Sequence, residues 1–228
     1  MRPKVLLSWS SGKDSAWALH VLRERGEGEV VGLVTTFNEA FGRVAMHAVR
    51  AELVEAQANA TGLPLWKVPL PWPCSNGEYE TRMRSFIRSA KEQDVSAIAF
   101  GDLFLEDVRA YRGRLLAGSG VTPLFPIWTT RTATPALART MLDTGMRAVL
   151  TCVDPRHLPP SFAGRVYDES LLGELPPTVD PCGENGEFHT FCFTGPMFTS
   201  PITVRGGEVV ARDGFVFADL LPPESDRM

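Results

Sequence analysis

The chain is poor in the residues that mark metal centres and disulfide frameworks. It has four cysteines in 228 residues, Cys74, Cys152, Cys182 and Cys192, and no two of them form a CxxC pair. No histidine stands at zinc-ligand spacing from them, so they read as reduced structural thiols. Long apolar runs are missing as well. Val5-Leu6-Leu7 near the N-terminus is too short for a signal-peptide core, and nothing approaches the ~18 residues of a membrane span. The expectation is a soluble, cytoplasmic protein. Excess positive charge is absent: 23 basic residues face 27 acidic ones, a formal net charge of −4. Such a balance is unsuited to coating nucleic acid through the net field. Repeats and low-complexity segments are lacking too, which with 44% hydrophobic and 22% charged residues excludes a rod, a coiled coil or a disordered tail. A chain of this length buries roughly 70–75% of its unfolded surface and needs no staples.

What is present is an alternation of short apolar runs and helical patterns. Lys4–Ser8 predicts a strand, and Lys13–Arg25 a helix closed by Gly26. Val30–Thr36 predicts a buried strand. A helix is expected from Val44 to Ala60, where Met46, Val49, Leu53, Ala56 and Ala60 are spaced for one buried face. Trp66–Leu70 and Val95–Phe100 predict further strands on either side of a helix over Asn76–Gln93. Strands separated by helices of this length imply a parallel sheet with right-handed crossovers. Beyond a soft boundary near 120–130 the pattern changes. A helix over Pro135–Asp143 and a strand over Ala148–Val153 lead into a Pro-rich stretch, then β-like segments at Phe188–Phe193, Ile202–Val204, Glu208–Ala211 and Phe215–Phe217. Gly206-Gly207 and Asp213-Gly214 read as hairpin turns. The expected domains are 1–125, binding a nucleotide, and 126–228, binding the substrate.

The sharpest local signal is Ser10-Ser11-Gly12-Lys13-Asp14-Ser15, set between the first strand and the first helix. It gathers backbone N–H groups, the positive end of a helix, hydroxyls and a lysine at one point, which is an anion site. Each charge-assisted hydrogen bond to phosphate contributes about 1.5–3 kcal/mol. The site is expected to face solvent, so that removing Lys13 leaves the fold intact. It is not a Walker A loop, which would need Gly at position 7 and Ser or Thr at 14, where the chain has Leu7 and Asp14. It resembles the SGGKDS pyrophosphate loop of the ATP pyrophosphatases, with Ser11 in place of a glycine. That replacement requires a position that does not demand a glycine-type backbone angle.

A second signature, Asp180-Pro181-Cys182-Gly183-Glu184-Asn185-Gly186-Glu187-Phe188-His189-Thr190, packs carboxylates, an amide and an imidazole into one Gly-rich turn. By chemistry alone it is as readily a solvated acidic loop as a site. Ser10–Ser15 and Gly183–Thr190 together resemble the diphthine–ammonia ligase family of ATP pyrophosphatases. Met46-His47, Gly101-Asp102 and the run from Glu106 to Arg112 are similar to that family as well, so the resemblance covers most of the chain. It implies an α/β fold: a parallel sheet like that of the adenine nucleotide alpha hydrolases (HUP, Rossmann-like), with a smaller C-terminal α+β domain. It also implies an activity. ATP activates the carboxylate of diphthine, a modified histidine on translation elongation factor two, and ammonia converts it to the amide with release of AMP and pyrophosphate.

The resemblance assigns roles in turn. Ser10, Ser11, Gly12 and Ser15 would hold phosphates, with Lys13 neutralising charge on departing pyrophosphate. Asp14 would hold Mg²⁺, directly or through water, or else orient Lys13. Thr35, Thr36 and Phe37, with Met46 and His47, are candidates for the adenosine end, and Gly101 and Asp102 for the cleft. Glu106 and Arg109 would meet the acyl substrate or the α-phosphate, or else lie on a solvated helix face. Gly183, Glu184, Asn185, Gly186, Glu187 and His189 are assigned to substrate, ammonium or proton handling, with the roles undivided among them. The expected partners are ATP, Mg²⁺, ammonia and a carboxylic acceptor, which is either that modified histidine or a small acid. A homodimer stays open. Two other readings use the same loop: a tRNA-modifying enzyme, and an adenine-nucleotide sensor without turnover. The lack of a paired cysteine disfavours the first, and the dense polar signature at 183–190 the second.

Overall fold

The computed structural model describes residues 2–40, 42–44 and 49–224. Strand β1 (Lys4–Ser8) leads into helix α1 (Lys13–Arg25), followed by β2 (Glu29–Asn38), the short β3 (Arg43–Val44) and α2 (Ala51–Thr61). Then come β4 (Leu65–Leu70), α3 (Asn76–Glu92), β5 (Val95–Ala99), α4 (Glu106–Leu116) and β6 (Thr122–Leu124). The parallel strands pair in the order β4, β2, β1, β5, β6, with β3 antiparallel on the end of β2. The chain therefore winds first to one side of β1 and then to the other. The carboxyl ends of β1 and β5 flank the point where the order reverses, the place where such sheets bind ligands.

A second, antiparallel sheet follows helix α5 (Thr134–Asp143). Its central strand β7 (Arg147–Val153) pairs with β8 (Val166–Tyr167), which precedes the short helix α6 (Glu169–Glu174), and with β9 (Phe188–Thr194). The hairpin of β10 (Arg205–Arg212) and β11 (Phe215–Leu221) completes the sheet through β11 and β7. Alternation along β1 shows how the layers stack. Val5 and Leu7 join a core that contains Leu19 of α1, Leu53 of α2, and Val149 and Phe191 of the second sheet. Leu6 points the other way, into a core with Ile87 of α3 and Leu115 of α4. Helices α1 and α2 thus lie between the two sheets, and β9 runs beside the loop that opens α1.

Several expectations need correction. The second helix begins at Ala51, not Val44, because Val44 pairs with Phe37 and its N–H bonds Val49 O at 2.9 Å. Met46 and His47 lie outside the described residues. Gly206-Gly207 is not a turn but part of β10, at a register shift, and Ile202–Val204 forms no strand. Asp213-Gly214 does turn the hairpin. Helix α6 left no periodic signal in six residues; Asp168 caps it by accepting from Leu171 N at 2.9 Å.

Candidate active site

The loop after β1 is built around an unusual backbone. Ser11 adopts φ +70°, in the left-handed region that favours glycine, so the position does demand a glycine-type angle, contrary to expectation. Its carbonyl is held there by two donors, Cys192 N of β9 and Gln57 Nε2 of α2, each at 2.9 Å. Gln57 is fixed in turn by Trp9 Nε1 at 2.8 Å. The Ser11 hydroxyl is fully buried and has no hydrogen-bond partner among the described residues. This twist presents the first turn of α1 to the cleft. Thr190 Oγ1 of β9 takes the N–H of Lys13 at 3.1 Å, and Ser10 and Ser15 hydroxyls meet at 3.2 Å.

Lys13 does not face solvent; it is 1% exposed. Its Nζ donates to both Asp14 oxygens at 2.8 Å and to the carbonyl of Cys182. Burial opposes its charge, but Asp14 and the neighbouring acidic groups more than offset that, and its pKa rises. Both Asp14 oxygens accept from Lys13 Nζ, an arrangement that would let Asp14 orient the lysine. Among the described residues, no three His, Cys, Asp or Glu groups converge as a cation site.

The second signature closes over this loop as a tight turn. Gly183 has φ +69°, and a Cβ there would meet Phe188 O at 2.9 Å, so the turn needs a bare backbone. Glu187 is 2% exposed and accepts from Asp180 N, Asn185 N and Asn185 Nδ2 at 3.0, 2.9 and 2.9 Å. It fastens the turn from inside, and Asn185 is spent on it; neither lines the cleft. Glu184 does line it, with Oε1 accepting from Leu103 N at 2.7 Å. Burial, reinforced by the charge of Asp14, pushes its carboxyl up to about 7. His189 also lines the cleft, and burial with nearby Lys13 lowers its pKa, which favours the neutral imidazole.

The resulting cleft of about 210 Å³ brings together Ser10, Gly12, Lys13, Asp14 and Ser15 with Gly101, Asp102, Gly183, Glu184, Gly186 and His189. Gly101 lets β5 approach α1: a Cβ there would sit 2.9 Å from Ser15 N. A larger cavity of about 1110 Å³ adjoins it, sharing Ser8, Ser10, Phe100 and Arg112. Thr36 lines that cavity, whereas Thr35 is buried and donates to Trp9 O at 2.6 Å, and Phe37 is buried under Lys67. Glu106 and Arg109 are exposed on α4 and outside both cavities, with Arg109 stacked 4.5 Å over Trp128. The sequence reading missed Ser8, Phe100 and Arg112 as lining residues. Helical spacing from Val108 to Arg112 is the signal that could have found the last.

Comparison with known proteins matches the chain in two stretches. Residues 2–123 match the diphthamide synthase N-terminal domain and residues 133–217 the diphthamide synthase C-terminal domain. The diphthine–ammonia ligase of Danio rerio is 26% identical over 92% of this chain and 89% of its own length. That of Bos taurus is 25% identical over 72% and 67% respectively. The chain belongs to the diphthamide synthase family, whose relatives named here are ligases.

Proposed function

We propose that the protein is an ATP-dependent ligase that adenylates a diphthine-like carboxylate and amidates it with ammonia, releasing AMP and pyrophosphate. The observation that carries this reading is the junction of the two signatures in one cleft, with Thr190 and the Cys182 carbonyl bonded directly to Lys13. The residues suit a triphosphate. The first turn of α1 offers N–H groups and a positive helix end, and the hydroxyls of Ser10 and Ser15 and the Lys13 ammonium line the same space. Thr36 and Asn38 at the end of β2 give the adjoining cavity a wall for the nucleoside. Mg²⁺ belongs to this proposal only as the companion of the triphosphate, since Asp14 is engaged with Lys13.

In the first step the acceptor carboxylate oxygen attacks the α-phosphorus, and the bond to pyrophosphate breaks as Lys13 and the α1 amides offset its charge. In the second, ammonia attacks the acyl carbon and AMP departs with the former carboxylate oxygen. The nitrogen must shed a proton, and Glu184, whose pKa lies near 7, is suited to receive it. The test is to incubate the protein with ATP, ammonium and diphthine-bearing elongation factor two and to separate the nucleotides. Acceptor-dependent AMP and pyrophosphate are expected. Predominant ADP would overturn the reading.

A further inference from the structure

We propose that Arg112 forms a carboxylate-binding site at the seam of the two cavities, and that its ligand is the carboxylate of the acyl acceptor. The proposal rests on the ligase reading above. Arg112 lines both the cleft of about 210 Å³ and the cavity of about 1110 Å³. Helix α4 delivers it there, since Val108, Tyr111, Arg112 and Leu115 recur at helical spacing and all line the larger cavity.

The side chain is held in place. Its Nε donates to Asp102 Oδ2 at 3.2 Å, and its guanidinium lies 4.8 Å over the Phe100 ring. Burial opposes the charge, but Asp102 and Tyr79 more than offset it, so the cation persists. A guanidinium has five N–H donors, and Asp102 engages Nε alone rather than two donors in parallel. Such a group is fixed in orientation yet keeps donors for a second planar anion.

Two features favour a carboxylate over the phosphates. Of the loop groups assigned to the phosphates, Gly12, Lys13 and Ser15 line only the smaller cleft, while Arg112, like Ser10, stands where that cleft meets the larger cavity. That cavity, at about 1110 Å³, is larger than one small ligand requires. It can take the nucleoside against β2 and the acceptor against α3 and α4. The chemistry also asks for a cation here. Adenylation brings a carboxylate against a triphosphate, and a fixed positive charge at their meeting point offsets the repulsion.

The experiment compares wild type with Arg112→Lys in two assays. Exchange of labelled pyrophosphate into ATP is followed against the concentration of diphthine-bearing elongation factor two, with ammonium withheld. ATP affinity is measured by calorimetry. Arg112→Lys keeps the charge but loses the fork, so KM for the acceptor should rise about tenfold, the worth of one charge-assisted hydrogen bond. The ATP Kd should stay within about twofold of wild type. An unchanged KM overturns the proposal, and so does a parallel loss of ATP affinity, which would make Arg112 a phosphate contact. If Arg112→Lys does not fold, Asp102→Asn loosens the same guanidinium and must give the same split between KM and Kd. Failure of wild type to show acceptor-dependent exchange would instead remove the ligase reading itself.

Discussion

Ser11→Gly should stabilise the protein, although it deletes a side chain from the centre of the nucleotide loop. Ser11 holds φ +70° with its hydroxyl fully buried and without a hydrogen-bond partner among the described residues. A Cβ in the left-handed region costs roughly 1–2 kcal/mol, and an orphaned buried hydroxyl about 1–3 kcal/mol. Against these, glycine frees the unfolded chain by about 0.4–1 kcal/mol, and losing a methylene's worth of packing costs about 0.8 kcal/mol. Taken at the middle of each range, the balance favours the variant by about 2 kcal/mol. For a chain of this size that is a rise in Tm of about 4–8 °C. Ser11→Ala separates the two contributions: it removes the hydroxyl but keeps the strained Cβ, so it should recover only the polar part, about 1 kcal/mol. Differential scanning calorimetry on the three proteins reads both. A Tm for Ser11→Gly at or below wild type would refute the claim that the backbone here is strained.

Lys13→Ala should cost stability as well as nucleotide affinity. Removing one partner of a buried ion pair costs about 3–5 kcal/mol, and partial rehydration of Asp14, whose side chain is 25% exposed, trims this. A melting temperature lower by about 5–15 °C is expected, and an unchanged melt would return Lys13 to the solvent-facing role its sequence suggested. Glu184→Gln tests the carboxyl raised to about 7. The folded state holds that proton more tightly than the unfolded chain, whose glutamate titrates near 4.3. Its contribution is thus full below about pH 4 and is lost as pH rises through 7. Wild type should lose melting temperature between about pH 5 and 7 relative to Glu184→Gln, and its amidation rate should rise over the same range. Parallel pH curves for the two proteins would exclude a titrating Glu184.

The first sheet was legible because its signals are local. An apolar run, a hydroxyl–glycine–lysine turn and a helical pattern follow one another within Lys4–Arg25, and the structure places β1, the loop and α1 there. The second helix was misplaced because Val49 fits the buried face of the helix expected from Val44, yet the Val44 N–H bonds the Val49 carbonyl and Val44 pairs with Phe37 of β2, which periodicity cannot reveal. Burial of Lys13 was equally invisible: its partners Cys182 and Thr190 lie 169 and 177 residues away. Arg112 was hidden for a different reason. The family-like run from Glu106 to Arg112 marked the segment but not this residue's role, which shows only once Asp102 and Phe100 are known to meet it.

The two glutamates of the second signature show why residue type alone could not divide the roles at this site. Glu184 and Glu187 are three residues apart in one turn, and sequence reading gave both to substrate or proton chemistry. Glu187 points inward and spends its oxygens on three N–H donors of its own turn, which leaves it no face toward the cleft. Glu184 points into the cleft, receives one backbone N–H and sits near Asp14, so burial and like charge hold its proton. A group that must take a proton from an attacking nitrogen near neutral pH needs the second environment, not the first. The first environment has its own use, because Glu187 secures the Asp180–Glu187 turn whose Cys182 carbonyl receives Lys13. One carboxylate therefore builds the wall that buries the lysine, and the other supplies the titrating group beside it.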